Sequence, residues 1–150
     1  MQPGERIGRY TVVGRLGGGG MGEVYLVDNA ELGRREAMKV VSVAASAKDG
    51  FEERFRREAR AIATLDHPGI VTIYSSGIDH GRPWYAMQYV DGADLTDARL
   101  PVAETVEVVG RIADALDYAH SRGMVHRDVK PANIMTTRRP DGGLDRVTLL

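Results

Sequence analysis

The sequence predicts an α+β fold in two parts: an antiparallel β-sheet with one helix over residues 1–90, then the beginning of a helical part over residues 91–150. Three observations predict it. Short β-rich runs separated by turn residues fill the first part. After Asp91-Gly92 the pattern changes from mostly strand to mostly helix. Pro101 then opens a run in which Val102, Val106, Val109, Ala113, Leu116 and His120 recur at helical spacing.

The elements follow in order. Residues 10–16, YTVVGRL, and 23–28, EVYLVD, are strand-like and flank Gly17-Gly18-Gly19-Gly20, so they read as a hairpin. A third strand is expected at about Arg35 to Val43, after a turn at Leu32 to Arg34. Asp49, with Glu52 three residues later, makes a capping box for a helix reaching about Leu65, where Asp66-His67-Pro68-Gly69 ends it. Strands near Ile70 to Ser75 and Trp84 to Tyr89 are separated by a turn at Asp79 to Arg82. The helix opened by Pro101 stops at Gly123, since glycine accepts the backbone of a helix C-terminus. Thr136 to Asp145 reads as a polar loop, and RVTLL begins a further strand.

Composition limits the partners. With 20 basic and 21 acidic residues the net charge is -1, which draws the chain neither to nucleic acid nor to an anionic membrane. There is no cysteine, so disulfides, thiolate chemistry and sulfur-ligated zinc are excluded. His67, His80, His120 and His126 show no metal-ligand spacing. No apolar run reaches the length of a membrane span, and MQPGERIGRY is too polar for a signal peptide, so a cytoplasmic location is expected. A chain of this size buries roughly 70% of its unfolded surface, enough for a core.

Gly17, Gly19 and Gly22 fit G-x-G-x-x-G, a pattern that a flexible hairpin tip also produces. Three phosphate-binding designs compete. A dinucleotide fold needs its third glycine to open a helix, but Gly22 opens EVYLV, which alternates as a strand. A Walker loop needs a lysine after its last glycine, whereas Glu23 follows Gly22 and would repel a phosphate. What remains is a glycine-rich β-hairpin closing over a nucleotide, followed by Val24 to cover the base.

Such a hairpin needs a cation from elsewhere, and Lys39 is the candidate. Ala37 and Lys39 are two apart on a strand and share a face, which sets a small residue against a base and an ammonium near phosphates. The alternative is a solvent-facing edge lysine. In the next helix Phe51, Phe55, Ile62 and Leu65 form an apolar stripe with Glu58 near its middle, while Arg54, Arg56, Arg57 and Arg60 lie mainly elsewhere. A carboxylate on a buried face needs a partner. Lys39 is the expected one, and Arg54 is the alternative.

The most specific stretch is Val125 to Met135, VHRDVKPANIM. Asp128 and Asn133 sit five apart with Lys130 between them, in a segment whose Pro131 disfavours regular helix, so polar groups can converge there. With these residues the chain resembles the eukaryotic-like (Hanks-type) protein kinases, closest to the bacterial serine/threonine protein kinases. The resemblance covers about Arg9 to Leu150. A glycine hairpin, Ala37-x-Lys39, Glu58, His67-Pro68, Met87-x-Tyr89-Val90 and His126-Arg127-Asp128 arrive in the order of that family.

The resemblance implies a protein-kinase-like fold, with residues 1–90 as the ATP-binding lobe and residues 91–150 as the start of the larger one. It implies ATP and Mg²⁺ as cofactors and Ser or Thr of a protein as substrate. Leu16, Gly17, Gly18, Gly19, Gly20, Met21, Gly22 and Val24 would then form the loop over ATP, and Ala37 part of the adenine ceiling. Lys39 would hold the α and β phosphates, paired with Glu58. Met87 would be the gatekeeper, Gln88 and Val90 would bind adenine through their backbone, Asp94 would meet the ribose, and Met135 would floor the pocket. Asp128 would be the catalytic base, Asn133 would hold one Mg²⁺, Lys130 would mark the serine/threonine form of the loop, and His126 would be structural. Val129, where Leu is usual, and Gln88, where an acidic residue is common, are small departures.

One departure concerns activity. In the resembled family the strand written here as RVTLL leads into Asp-Phe-Gly, whose aspartate is the main Mg²⁺ ligand, and the sequence ends at Leu150. The expectation is a truncated fragment with weak or no transfer of its own, from a longer protein of a kind that is often membrane-anchored in bacteria. A helix from Pro101 without its neighbours is also expected to leave an apolar patch that favours self-association. The alternative function is a non-catalytic, pseudokinase-like module that binds nucleotide or a partner.

Overall fold

The computed structural model describes residues 1–19, 22–42 and 50–150. Gly20, Met21, Val43 and Asp49, the expected helix cap, lie outside the described residues. The chain divides into two compact units, one comprising Met1–Thr64 and Thr72–Tyr89, the other Leu65–Val71 and Val90–Leu150.

The first unit is built on an antiparallel sheet of β1 (Arg6–Ile7), β2 (Tyr10–Gly19), β3 (Gly22–Asn29), β4 (Arg34–Val41), β5 (Ile73–Asp79) and β6 (Arg82–Gln88). The strand order is β1-β2-β3-β4-β6-β5. Strand alternation separates two faces. Tyr10, Val12, Tyr25, Val27, Met38, Val40, Trp84 and Ala86 fill a core on one face, together with Ile7 from β1. Tyr10 meets Trp84 edge to face at 5.6 Å. The β5–β6 turn falls at His80-Gly81, where both residues have positive φ. Helix α1 (Phe51–Ala63) ends two residues before Leu65, and its N-cap is Gly50, at φ 70°, which has no side chain to cap with.

The second unit holds α2 (Val102–Ser121) and a three-stranded sheet ordered β7-β8-β9, from β7 (Ala93–Asp94), β8 (Ile134–Arg138) and β9 (Leu144–Leu149). Pro101 precedes α2, and its end at Gly123 is a Schellman motif: Gly123 N–H donates to the His120 carbonyl and Met124 N–H to that of Ala119. The terminator Asp66-His67-Pro68-Gly69 docks on α2. His67 Nδ1 accepts from Gly69 N–H, its Nε2 donates to Asp114, and Asp66 N–H donates to the Tyr118 hydroxyl.

One expectation holds and one changes. As expected, α2 leaves an apolar stripe open, with Val102, Val106 and Val109 81%, 67% and 62% exposed. Helix α2 buries Val108, Ile112, Ala115 and Ala119 instead, against Ile134, Leu144, Val147, Leu149, Leu65 and Ile70. Both faces are apolar in sequence, and burial goes to the one the β8–β9 ladder and the Leu65–Ile70 segment cover. The segment from Thr136 is also more ordered than a polar loop. Thr136 is buried between β7 and β9, and its hydroxyl donates to the Ala93 carbonyl at 3.3 Å.

Candidate active-site loops

In the first unit the β2–β3 register pairs Gly17 with Val24, Gly18 with Glu23 and Gly19 with Gly22. The glycines serve different needs. Gly22 has φ +144°, and a Cβ there would lie 2.2 Å from the Val40 carbonyl oxygen, so the approach of β4 requires glycine. A Cβ on Gly18 would meet Arg15 and the Gly22 carbonyl at 3.0 to 3.1 Å. Around Gly17 and Gly19 a Cβ would meet nothing within 4 Å among the described residues, which leaves their backbone open to a ligand. Leu16 is exposed.

The ladder also fixes what lies across from Lys39. Val24, Lys39 and Tyr85 are register partners in one row, and Leu26, Ala37 and Met87 in the next. Direct partners share a face. One side of the sheet therefore presents Val24, Lys39, Tyr85, Leu26, Ala37 and Met87, with Ala37 and Met87 buried and the others half-buried. Gln88 pairs with Glu36 and its N–H donates to the Thr72 carbonyl.

Glu58 is exposed, and no ion pair between it and Lys39 is found among the described residues. The helix explains the difference from expectation. Ala59 is the buried residue of α1, and Phe55 rests on the Tyr85 ring at 6.0 Å while stacking on Phe51 at 6.1 Å. The face turned to the sheet thus centres on Phe55 and Ala59, and Glu58 falls on its flank. Sequence reasoning passed over Tyr85, although its spacing of two from Met87 on a strand was the signal that it shares that face.

The loop groups of the second unit converge on Asp128. Asn133 Nδ2 donates to the Asp128 carbonyl at 2.7 Å and to its Oδ2 at 3.0 Å. Lys130 Nζ lies 2.9 Å from the same Oδ2. Pro131–Asn133 is a short 3-10 turn that brings Asn133 back toward Asp128, closed by Asn133 N–H to the Lys130 carbonyl. Arg127 has φ 66°, a left-handed conformation that reverses the chain just before Asp128. Lys130 first, then Asn133, holds the Asp128 carboxyl below the usual range.

His126 braces this loop. Its Nδ1 accepts from the Asp128 N–H at 3.2 Å, so its proton is on Nε2, which donates to the Leu150 carbonyl at 2.7 Å. Both ring nitrogens are engaged, which suits a structural role. Asp94 and Met135 are register partners across β7–β8. Asp94 accepts the Thr96 N–H at 2.8 Å, and the Thr96 side chain first, with that N–H second, holds its carboxyl below the usual range. Val90 is buried, and its carbonyl accepts the Gly92 N–H.

The chemistry of this loop is that of a positioned base. Asp128 Oδ2 is held by an ammonium and an amide, which leaves Oδ1 to accept a proton. Asn133 uses Nδ2 on Asp128 and keeps its carbonyl oxygen, a hard donor of the kind Mg²⁺ takes together with phosphate oxygens. No cluster of three or more acidic, histidine or cysteine side chains that could cage a metal occurs among the described residues. No helix among the described residues is long and apolar enough to cross a membrane.

The chain is similar to known proteins over most of its length. The family model described as "Protein kinase domain" matches residues 10–144. Serine/threonine-protein kinase PknJ of Mycobacterium tuberculosis (strain H37Rv) is 47% identical over 144 residues, covering 93% of this chain and 24% of its own. PknI of the same organism is 46% identical over 140 residues, covering 89% of this chain and 24% of its own. A crystal structure of the M. tuberculosis PknI kinase domain has TM-score 0.83 and 43% identity, covering 99% of this chain and 61% of that one. A double-mutant form of the same domain gives 0.87. The chain thus spans about a quarter of those curated relatives and about three fifths of the solved domain. With most of its length matched by the family model and by relatives of this identity, the chain belongs to the protein kinase family.

Proposed function

We propose that this chain carries the nucleotide-binding and catalytic loops of an ATP-dependent serine/threonine protein kinase. The observation that supports this best is Asp128, with one carboxylate oxygen bound by Lys130 and Asn133 and the other open. In this reading a Ser or Thr hydroxyl oxygen of a protein substrate attacks the γ-phosphorus of ATP, the bond to the β–γ bridging oxygen breaks, and ADP leaves. Asp128 takes the hydroxyl proton on Oδ1. Lys130 neutralises charge on the phosphoryl group, and Asn133 offers its carbonyl oxygen to Mg²⁺, which when bound offsets the charge of the phosphates.

The first unit supplies nucleotide contacts. The open backbone around Gly17 and Gly19, within the loop Leu16 to Val24 that includes Gly18, Gly20, Met21 and Gly22, approaches the phosphates, and Lys39 binds the α and β phosphates. Ala37, Met87, Gln88, Val90 and Met135 take the adenine, and Asp94 the ribose. The reaction belongs in the cytoplasm, where ATP is held.

The test uses the whole protein. Mg²⁺-dependent phosphorylation of a Ser/Thr substrate is expected, lost in Asp128→Asn and strongly reduced in Lys39→Met; activity retained in Asp128→Asn would overturn the assignment. The exposed Glu58 favours a second reading, a non-catalytic module that binds nucleotide or a partner. That reading expects an ATP-induced rise in melting temperature, lost in Lys39→Met, with no transfer from the whole protein.

A further inference from the structure

Glu23 sets a carboxylate directly after the glycines, yet its side chain leaves the sheet on the face opposite Lys39. Arg15 pairs with Tyr25 and Gly17 with Val24, so Leu16 is an extra residue in β2, a bulge. Direct partners share a face, and positions alternate along a strand. Arg15, Gly18, Glu23 and Tyr25 therefore lie on one face, while Gly17, Gly19 and Val24 lie on the other with Lys39. Without the extra residue Arg15 and Gly17, two apart, would share a face. The bulge turns Arg15 to the side of Glu23 and keeps Gly17 on the side of Lys39.

On the face away from Lys39 three side chains meet. The Tyr25 hydroxyl donates to Glu23 Oε2, and Arg15 Nη2 lies 3.2 Å from Glu23 Oε1, so each carboxylate oxygen has one donor. Arg15 reaches Glu23 by lying over Gly18, where a Cβ would stand 3.0 Å from Nη2. Tyr25 anchors the group. Its ring is buried in the core with Val12, Val27 and Trp84, and its hydroxyl also accepts from the Met1 ammonium at 2.8 Å. The Tyr25 hydroxyl, ahead of Arg15, holds the Glu23 carboxyl below its usual range. A continuous set of contacts thus runs from the core through Glu23 to the residue before the bulge.

We propose that Arg15 and Glu23, anchored by Tyr25, are positioning residues: they form a clasp across the glycine hairpin that holds the Leu16 bulge and so sets where the Gly17 and Gly19 backbone meets a nucleotide phosphate. This rests on the reading of the hairpin as the nucleotide-binding loop. Both charged side chains are about half exposed, and such pairs add little to global stability. Their effect falls on the hairpin, because glycines have the most backbone freedom to lose. A loop already held in its bound shape loses less of that freedom when the ligand arrives, and affinity rises accordingly.

The experiment measures affinity for a fluorescent ATP analogue with Mg²⁺ on the whole protein, in Arg15→Met and Glu23→Ala singly and together. The sign separates two mechanisms. A carboxylate acting by its charge alone repels phosphates, so its removal would tighten binding. The clasp requires the opposite: each single variant is expected to weaken binding about 3- to 10-fold, the range of one net hydrogen bond. The double variant should stay within about 2-fold of the weaker single one, since either loss opens the same clasp. Melting temperatures should remain at the wild-type value, which separates positioning from folding. Tighter or unchanged binding in Glu23→Ala, additive losses, or losses that track a fall in melting temperature overturn the proposal. If wild type binds no nucleotide, the reading of the hairpin fails, and this inference fails with it; if Gly19→Ala weakens binding while Glu23→Ala does not, only the inference fails.

Discussion

Asn133 Nδ2 bridges the carbonyl and the carboxylate of Asp128, at 2.7 and 3.0 Å, from five residues away. The bridge ties the start of the loop to the turn that leads into β8. Asn133→Ala is therefore expected to free the Asp128 side chain and to lower phosphorylation by the whole protein at least about 10-fold, in the range set by loss of a charge-stabilising contact. Turnover at saturating ATP checks it. Unchanged turnover would show that the bridge is not needed for catalysis.

Lys130 is the first cause of the lowered Asp128 pKa. Lys130→Ala should move the Asp128 titration up toward the ordinary carboxylate range, as read from its carboxyl carbon by NMR. The sign for stability follows. A carboxylate with a folded-state pKa below its unfolded value contributes above the unfolded pKa and loses that contribution as pH falls through the folded one. Because both side chains are about half exposed, the melting temperature at neutral pH should barely change.

Gly22 and Gly19 face each other across the hairpin yet should respond oppositely. Gly22→Ala places a Cβ 2.2 Å from the Val40 carbonyl at φ +144° and is expected to destabilise the fold by about 2 kcal/mol or more. Gly19→Ala meets no protein atom within 4 Å and should leave stability unchanged while weakening nucleotide binding. Urea denaturation and nucleotide titration separate the two. A fold-breaking Gly19→Ala would remove the argument for open space.

Glu36 is fully buried on β4, where its Oε1 accepts from Arg34 Nε at 2.8 Å and from Asn29 Nδ2 at 3.0 Å. Its Oε2 has no hydrogen-bond partner among the described residues. Glu36→Ala strands the buried Asn29 amide and opens a cavity, at a cost of about 2 to 4 kcal/mol. Glu36→Gln keeps an acceptor for Asn29 and should cost less. The order of the two variants in urea decides whether the hydrogen bonds or the volume matter.

The exposed valines of α2 should govern association. Val106 lies between Val102 and Val109 on that face and is 67% exposed. Val106→Glu is expected to reduce self-association in sedimentation velocity without lowering the melting temperature. A variant that unfolds would mean that the face is buried in solution.

The sequence by itself determined the features fixed by neighbouring residues. The α+β class, the hairpin around the glycines, the stop of α2 at Gly123 and the loop at Val125 to Met135 follow from backbone preferences over a few positions, which act before any long-range contact forms. The tertiary structure decided what depends on a partner distant in the chain. Two apolar faces of α2 compete in the sequence, and β8, β9 and the Leu65–Ile70 segment select Val108, Ile112, Ala115 and Ala119. Thr136 looked like loop because its polarity is answered only by the Ala93 carbonyl, more than forty residues earlier. Glu58 looked central on an apolar stripe, but the tilted contact of Phe55 with Tyr85 and the burial of Ala59 set the rotation of α1 and leave Glu58 exposed. Periodicity states which residues share a face, and only packing against another element states which face is covered.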